Sequence, residues 1–348
     1  MTIIRSAPPP NPLVGFQVDP SSMGRTGRDL QRPECILAER DGSLWSADAR
    51  GGVVRIAADG TQQLIRQISD EPDKDRPASP STLITGTLPN GLAFARGGDI
   101  LISNFGTDRL ERMTRGGRSS VLLDSIEGRP LGKVNFVLRD SRDRIWLTVS
   151  TRINPWTEAM TGSVADGFIV LIDERGARIV ADGFRFTNEI RFDAAEEWLY
   201  VAETTGKCVT RLRARPNGAL VDRETFGPSS LGRGVVDGIA FDSYGNLWAT
   251  MIFADRLIAI TPKGDLLELF NDGEYEATER FESAFATGLP VPMDVMLKCG
   301  GPVGRWLASV TFGGADLCTV YLGSLRGTDI PFFRSPVAGF PMIHWAET

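Results

Sequence analysis

The sequence predicts an all-β protein, a six-bladed β-propeller of four-stranded blades with a central metal site. Three observations support this fold: a strand pattern that recurs six times, a repeat length typical of propeller blades, and oxygen-bearing residues at a nearly constant distance before five of the six repeats. The chain has 348 residues, of which 42% are hydrophobic and 24% charged, so it can bury a large core. This length allows one large architecture as well as two domains.

The repeated element is a run of β-favouring residues that follows a Gly, Asp or charged turn. It occurs at 42–48, 98–104, 143–149, 197–203, 245–251 and 318–324, with anchors Leu44, Ile100, Ile145, Leu199, Leu247 and Val320. The anchors are separated by 56, 45, 54, 48 and 73 residues, a mean of about 55, close to the length of a four-stranded blade. Because no sustained helical periodicity lies between the anchors, the sequence predicts no helix there.

The repeat boundaries divide the chain into an N-terminal extension, residues 1–32, and a single propeller domain, residues 33–342. Residues 13–18 are expected to supply a strand that closes the ring, since the junction between the last and first blades otherwise leaves unpaired strand edges. The irregular intervals locate insertions at 69–88, 151–166 and 272–298. Such loops either cap a binding face or are solvated connections.

Charge and cysteine usage restrict the partners. The chain has 38 basic and 44 acidic residues, a net charge of −6, which argues against a nucleic-acid or anionic-membrane partner. We therefore expect a small-molecule substrate and see no indication of a protein partner. The four cysteines form no CxxC pair, and the N-terminus has no apolar signal region, so we expect a cytoplasmic location. The single histidine, His344, lies too near the C-terminus to favour a Ser-His-Asp triad or a histidine-rich zinc site.

Residues with carboxylate or amide oxygens precede five of the six anchors by ten or eleven positions. They are Glu34, Asn90, Asn135, Asn188 and Asp237, whereas Val310 stands at this position in the sixth repeat. If each begins an inner strand beside the channel, the propeller brings their oxygens together at one mouth. Each position also has an alternative interpretation as ordinary turn chemistry, most evidently at Asn90 and Asp237, which are followed by glycine.

A ring of buried oxygens needs a partner, and a hard divalent cation satisfies it. Oxygen ligands without histidine or cysteine favour Ca²⁺, which tolerates neutral amide ligands and irregular geometry, with Mg²⁺, Mn²⁺ and Zn²⁺ as alternatives. Cys35 lies next to Glu34 but has no basic neighbour in the sequence, so we assign it to the core.

Several of these segments resemble one known family. Pro33-Glu34, Lys133-Val-Asn135, Thr187-Asn188, the block from Val236 to Trp248 and the Phe312-Gly-Gly-Ala-Asp-Leu317 block are similar to successive blade signatures of the regucalcin/gluconolactonase family. The resemblance covers roughly residues 33–324. It implies a six-bladed propeller with a central divalent metal held by Glu34, Asn135, Asn188 and Asp237.

The resemblance also implies an enzyme, a metal-dependent lactone hydrolase of the carboxylic ester hydrolase class. In that mechanism the metal polarises the carbonyl, and Asp237 binds the metal and orients or deprotonates the attacking water. Whether Asp237 is a base or only a ligand stays open. Lys133, Asn90, Phe136 and Trp156 are the candidate substrate-binding residues, although Phe136 and Trp156 could equally pack between blades.

The chain departs from the family pattern at three positions that read substrate hydroxyls. Phe136 replaces an acidic residue, Glu189 replaces a glycine, and Lys133 replaces an arginine. These changes favour a less polar cyclic ester over a sugar lactone. Three alternatives keep the same architecture: hydrolysis of phosphotriester-type compounds, condensation as in strictosidine synthase-like propellers, and a non-catalytic calcium- or ligand-binding propeller.

Overall fold

The computed structural model describes residues 9–69, 83 and 85–347, and in it six blades, each with four antiparallel strands, succeed one another along the chain. A short strand, β1 (Gly24–Thr26), precedes them. Blade one contains β2 (Ile36–Ala38), β3 (Leu44–Asp48), β4 (Gly52–Ile56) and β5 (Gln62–Arg66). Blade two contains β7 (Pro89–Phe94), β8 (Ile100–Asn104), β9 (Arg109–Met113) and β10 (Arg118–Leu123), with β6 (Ile68–Ser69) beside β10. Blade three contains β13 (Val134–Arg139), β14 (Ile145–Val149), β15 (Gly167–Asp173) and β16 (Gly176–Phe184). A small hairpin of β11 (Ser125–Ile126) and β12 (Arg129–Pro130) lies between the second and third blades.

The last three blades follow the same order. Blade four contains β17 (Thr187–Phe192), β18 (Trp198–Glu203), β19 (Cys208–Ala214) and β20 (Leu220–Phe226). Blade five contains β21 (Val235–Phe241), β22 (Leu247–Ile252), β23 (Arg256–Ile260) and β24 (Leu266–Asn271). Blade six contains β25 (Leu307–Gly313), β26 (Thr319–Ser324) and β27 (Ile330–Arg334). The first strands of the blades, β2, β7, β13, β17, β21 and β25, contact one another in a closed ring. The predicted six-bladed propeller is therefore confirmed.

The ring is closed by the N-terminus, but not by the predicted segment. Strand β1 pairs antiparallel with β27, with Gly24 opposite Phe332, and becomes the fourth strand of blade six. The prediction that residues 13–18 form this strand is wrong. Two of their apolar side chains, Leu13 and Val18, instead lie in the core, where Leu13 is 1% exposed and packs in a cluster with Trp248, whereas Val14 is 70% exposed.

Adjacent blades are joined by a repeated aromatic contact. The second-strand aromatic residue of one blade packs edge-on against an inner-strand phenylalanine of the next, at centroid distances from 4.9 to 6.2 Å; the pairs are Trp45–Phe94, Trp146–Phe192, Tyr200–Phe241 and Trp248–Phe312. Each indole nitrogen also donates to a carboxylate six residues earlier, as Trp248 Nε1 does to Asp242 Oδ2 at 2.9 Å. These aromatic residues therefore pack between neighbouring blades.

The third insertion contains helices that the sequence did not predict. Helix α1 (Tyr275–Phe285) is followed by α2 (Met293–Leu297). Glu274 caps α1 by accepting a hydrogen bond from the Ala277 backbone N–H at 2.6 Å, and Phe281 on its buried face packs 4.7 Å from Phe253. One apolar face over eleven residues is too short a periodic signal to stand out in the sequence, so the prediction of no helix was wrong here.

Candidate metal centre and its aromatic cavity

The five predicted oxygen residues all lie at one end of the channel, which we call the site end. Asn90, Asn135, Asn188 and Asp237 are the second or third residues of their inner strands, and Glu34 precedes the first one. All five are buried, with at most 5% exposure. The inner strands run in the same direction, so their last residues lie at the opposite end of the channel. The alternative that Asn90 and Asp237 belong to ordinary turns is wrong, because both lie within strands.

A β-bulge turns four of these side chains into the channel. The pairing register of the inner strand with its neighbour shifts between Pro89 and Leu92, and the same shift recurs in the blades that contain Asn135, Asn188 and Asp237. A bulge inserts an extra residue and re-aims its side chain, and such bulges are common beside active sites. The sequence spacing could locate the residues but not this irregularity.

Glycine follows Asn90 and Asp237 because neighbouring inner strands approach closely there. A Cβ atom at Gly238 would lie 2.4 Å from the Ala308 carbonyl oxygen, and one at Gly91 would lie 2.7 Å from the Phe136 Cα atom. Both distances are shorter than any side chain tolerates. The glycines therefore serve contact between blades rather than a turn.

A second-strand hydroxyl group satisfies the backbone N–H that three of the bulges leave unpaired. Gly91 N donates to Ser103 Oγ, Phe136 N to Thr148 Oγ1 and Gly238 N to Thr250 Oγ1, each at 2.9 Å. In all three blades the hydroxyl residue follows the bulge by twelve positions. This regular spacing was visible in the sequence and was missed.

We predict that Thr250→Val destabilises the protein by about 1–3 kcal/mol, because the valine leaves the buried Gly238 N–H without an acceptor. The Thr250 hydroxyl also donates to the Ala308 carbonyl oxygen at 3.0 Å, so the change weakens the contact between blades five and six. Urea unfolding at a fixed metal concentration measures the effect. Thr225→Val, on the outer strand β20, is the control, and an equal loss in both variants would contradict a special role for Thr250.

Hydrogen bonds connect the oxygen residues in two groups. Asn90 Nδ2 donates to Glu34 Oε1 at 2.9 Å and to the Asn135 carbonyl oxygen at 3.1 Å. Asn188 Nδ2 donates to Asp237 Oδ1 and to Thr204 Oγ1. The amide groups therefore hold the two carboxylates in fixed positions.

The donor set, defined as Glu34, Asn135, Asn188 and Asp237, fits a divalent cation. Glu34 Oε2 and Asn188 Oδ1 are buried and have no hydrogen-bond partner within the described part of the chain, which is costly unless something else binds them. Burial raises the pKa of Glu34 and of Asp237, and repulsion from neighbouring carboxylates adds to both shifts. A cation would offset this cost.

The charge of such a site comes from only two carboxylates. Among the residues that the structure describes, no cluster of three or more histidine, cysteine, aspartate or glutamate side chains is arranged to hold a metal. A cation here would therefore rely on neutral amide oxygens for its remaining protein ligands, which is a coordination that Ca²⁺ accepts.

A cavity of about 60 Å³ opens beside these residues. Its polar lining comprises Arg32, Glu34, Asn90, Asn135, Asn188, Thr204 and Asp237, and the rest is apolar: Leu83, Phe105, Trp156, Met160, Phe186, Ile252, Phe253, Trp306 and Leu325. Trp156 stands edge-on to Phe105 at 5.8 Å and to Phe186 at 6.2 Å. The insertion at 151–166 thus supplies Trp156 and Met160, while most of the insertion at 69–88 lies outside the described residues.

The other predicted substrate-binding residues lie in different places. Asn90 and Trp156 line the cavity, but Lys133 lies outside its described lining, where its Nζ atom pairs with Asp108 at 2.9 Å and lies 5.7 Å from the Phe105 ring centroid. Phe136 is 1% exposed and belongs to the core. The prediction that Phe136 forms a wall for the ligand is corrected, because the bulge directs Asn135 to the channel and its neighbour to the opposite side.

Two departures from the family pattern are linked by one arginine. Glu189 is fully buried and pairs with Arg191 at 2.8 Å, and the Arg191 guanidinium lies 4.4 Å from the centroid of the Phe136 ring. Glu189 Oε2 also accepts a hydrogen bond from Ile239 N at 3.2 Å, while burial raises its pKa to about 7. The Glu189 carboxylate and the Phe136 ring therefore pack together through the Arg191 side chain.

Two other residues considered in the sequence, Cys35 and His344, lie outside the described cavity lining. Cys35 is 2% exposed, and burial raises the pKa of its thiol well above the ordinary value, so it is an inert core residue. His344 lies at the far end of the channel, where its Nε2 atom is 2.8 Å from the Ala38 carbonyl oxygen. Across the described residues, no helix is long and apolar enough to cross a membrane.

Comparison with known proteins decides the family. A family model described as the SMP-30/gluconolactonase/LRE-like region matches residues 33–274, more than half of the chain. The chain belongs to the SMP-30/gluconolactonase/LRE-like family. The resemblance noted in the sequence is thereby confirmed, and the matched region contains the whole donor set.

One curated protein with a similar sequence is a 6-deoxy-6-sulfogluconolactonase from Pseudomonas putida. It is 25% identical over 183 residues, which cover 50% of this chain and 53% of that protein. The alignment with this relative thus spans about half of its length.

The solved structures with a similar fold include the following two. One is a gluconolactonase from Xanthomonas campestris, with a TM-score of 0.61, 19% identity, and coverage of 90% of this chain and 88% of that one. The other is regucalcin, a calcium-binding protein from Agrobacterium tumefaciens, with a TM-score of 0.63, 15% identity, and coverage of 92% and 96%. At these low sequence identities, the two structures support the propeller fold and nothing beyond it.

Proposed function

We propose that this protein is a divalent-cation-dependent hydrolase of cyclic esters, and that its substrates are lactones with an apolar body. The observation that carries the proposal is the arrangement of four buried oxygen residues from four blades beside a cavity with aromatic walls. The lactonases among its relatives support the reaction class. The oxygen-only donor set and the calcium-binding relative support Ca²⁺ as the first candidate cation.

Each residue has a defined part in this proposal. A bound cation supplies Lewis-acid polarisation of the ester carbonyl and offsets the charge that develops on its oxygen. Asp237 holds the cation and accepts a proton from the attacking water, while Asn188 fixes the Asp237 carboxylate through its hydrogen bond to Oδ1. Asn90 fixes Glu34 in the same way. With no histidine in the described cavity lining, a carboxylate is the base available.

The cavity walls favour an apolar substrate. Phe105, Trp156 and Phe186 surround one side, while Glu34 Oε2 and Asn188 Oδ1, which lack hydrogen-bond partners within the described chain, belong to the donor set that would hold the cation. Each hydroxyl of a sugar lactone would lose hydrogen bonds to water on entering and find few replacements. We therefore place small aliphatic lactones above sugar lactones as substrates.

The test is hydrolysis of a lactone panel by chelator-treated protein, with each of Ca²⁺, Mg²⁺, Mn²⁺ and Zn²⁺ restored in turn. We expect cation-dependent opening of γ-butyrolactone and δ-valerolactone, with kcat/KM at least tenfold above that for glucono-δ-lactone. Trp156→Ala should lower kcat/KM for the aliphatic lactones selectively. Cation binding without turnover of any lactone would overturn the proposal, and a phosphotriester added to the panel distinguishes that activity from non-catalytic binding.

A further inference from the structure

The Arg32 side chain lies at the site end but has no role in the proposed hydrolysis. Arg32 stands two residues before Glu34, is 9% exposed and lines the same cavity. Its backbone has a φ of 56°, and its carbonyl oxygen accepts a hydrogen bond from Glu34 N at 2.8 Å. This left-handed conformation is uncommon for arginine and fixes the direction in which the side chain leaves the backbone.

The Arg32 guanidinium is held by neutral groups. Nη1 donates to the Pro89 carbonyl oxygen at 3.2 Å and Nη2 to Asn90 Oδ1 at 2.6 Å, while Nε has no hydrogen-bond partner within the described chain. No carboxylate of the described residues lies within ion-pair distance of it. By contrast, the buried guanidinium of Arg139 pairs with Asp143 and Glu347. Glu34 and Asp237 are near enough to stabilise its positive charge, although neither forms an ion pair with it, and arginine remains protonated.

The charges of the site show which sign is missing. Glu189 is balanced by Arg191, and the two carboxylates of the donor set would balance one divalent cation. A bound divalent cation would therefore leave the positive charge of Arg32, which Glu34 and Asp237 otherwise stabilise, without a balancing charge on the cavity wall. Because the Asn90 side chain binds both Arg32 and Glu34, it places this charge beside the donor set.

We propose that Arg32 is a further substrate-binding residue, which donates through Nε–H to the carboxylate generated when the lactone ring opens. In that reaction the water oxygen bonds to the acyl carbon, the ring C–O bond breaks, and the leaving alkoxide takes a proton. The product acid then releases a second proton and becomes a carboxylate. Arginine binds carboxylates with charge-assisted hydrogen bonds, so the site recognises a hydroxy carboxylate with a short apolar body.

This inference rests on the proposed function for the origin of the carboxylate, but its test does not require turnover. Isothermal titration calorimetry with 4-hydroxybutyrate, and with the neutral 4-hydroxybutyramide as a second probe, is performed on the Ca²⁺-loaded wild-type protein. We expect Arg32→Gln to weaken carboxylate binding at least tenfold and to leave amide binding within twofold. Arg32→Lys, which keeps the charge but not the planar donors, should recover part of the loss.

Arg233→Gln is the matched control, because Arg233 lies 48% exposed and pairs with Glu279 on helix α1. It should bind 4-hydroxybutyrate like the wild type. Equal carboxylate binding by the wild type and Arg32→Gln would overturn the inference, as would a parallel loss of carboxylate and amide binding. Circular dichroism checks that the variants are folded. If Arg32→Gln does not fold, carboxylate binding by Arg32→Lys tests the role of the arginine instead.

The two proposals fail in distinguishable ways. If no lactone is hydrolysed but carboxylate binding depends on Arg32, the proposed function is wrong and the carboxylate site stands. If lactones are hydrolysed and inhibition by the hydroxy acid is unchanged in Arg32→Gln, the function stands and the role of Arg32 is wrong. A loss of Ca²⁺ affinity in Arg32→Gln would assign Arg32 to positioning Glu34 and Asn90, and would also overturn the inference.

Discussion

Asp237→Asn is expected to lower Ca²⁺ affinity by about 100-fold or more and to abolish lactone hydrolysis. The amide has nearly the shape of the carboxylate, but it removes one of only two negative charges in the donor set and the proposed proton acceptor. Replacing residues that only hydrogen-bond to metal ligands already lowers metal affinity or activity by about 10–100-fold. We therefore expect a larger loss of affinity when a charged ligand itself is replaced. Calorimetric Ca²⁺ titration and the lactone assay measure the two effects.

The same variant should stay folded without a cation. Transfer of a charged carboxylate into the interior is unfavourable, as the raised pKa of Asp237 indicates, so a neutral amide removes that cost. We expect metal-free Asp237→Asn to unfold at the same temperature as the metal-free wild type or higher, and to lose the thermal shift that Ca²⁺ gives the wild type. Asp222→Asn, on the outer strand β20 with a 60% exposed carboxylate, is the control. Wild-type Ca²⁺ affinity in Asp237→Asn would exclude Asp237 from the donor set.

Trp248→Ala should reduce the free energy of unfolding by about 3–5 kcal/mol, the range for removal of a large buried aromatic side chain. Trp248 is fully buried, lies 5.2 Å from Phe312 and 6.3 Å from Phe333 between ring centroids, and therefore joins blades five and six. Urea unfolding at a fixed cation concentration measures the loss.

Two further tryptophan variants separate the contributions. Trp248→Phe keeps most of the ring but leaves the Asp242 carboxylate without the indole donor, so we expect a smaller loss of about 1–3 kcal/mol. Trp198→Ala is the control, because Trp198 is only half-buried and packs against the guanidinium groups of Arg211 and Arg213 on its own blade. An equal loss in Trp198→Ala and Trp248→Ala would contradict the importance of the contact between blades.

The sequence could predict the propeller because each blade repeats one local pattern. The anchors lie on second strands, and the aromatic residues beside them occupy equivalent contacts between blades, so a one-dimensional period reports a three-dimensional symmetry. The closing strand was misplaced because a three-residue strand at Gly24–Thr26 has no periodicity of its own. Its pairing with Ile330–Arg334, about 300 residues later, depends on ring closure.

The candidate site divides in the same way. Spacing alone was enough to select Glu34, Asn90, Asn135, Asn188 and Asp237, since equivalent positions in equivalent strands meet around one axis. Spacing could not reveal which neighbour of each residue faces the channel. Phe136 was assigned to the cavity and lies in the core, because the bulge sets the direction of each side chain.

Repeats and short motifs are therefore enough to predict the family, the number of blades and the residues whose oxygens gather at one end of the channel. The folded chain is needed to show that Arg32 lies among them, that Lys133 pairs with Asp108, and that Phe105, Trp156 and Phe186 form the cavity walls. This difference arises because repeats encode local strand geometry, which recurs in every blade. Contacts between one blade and the insertions of another occur once and leave no period in the sequence.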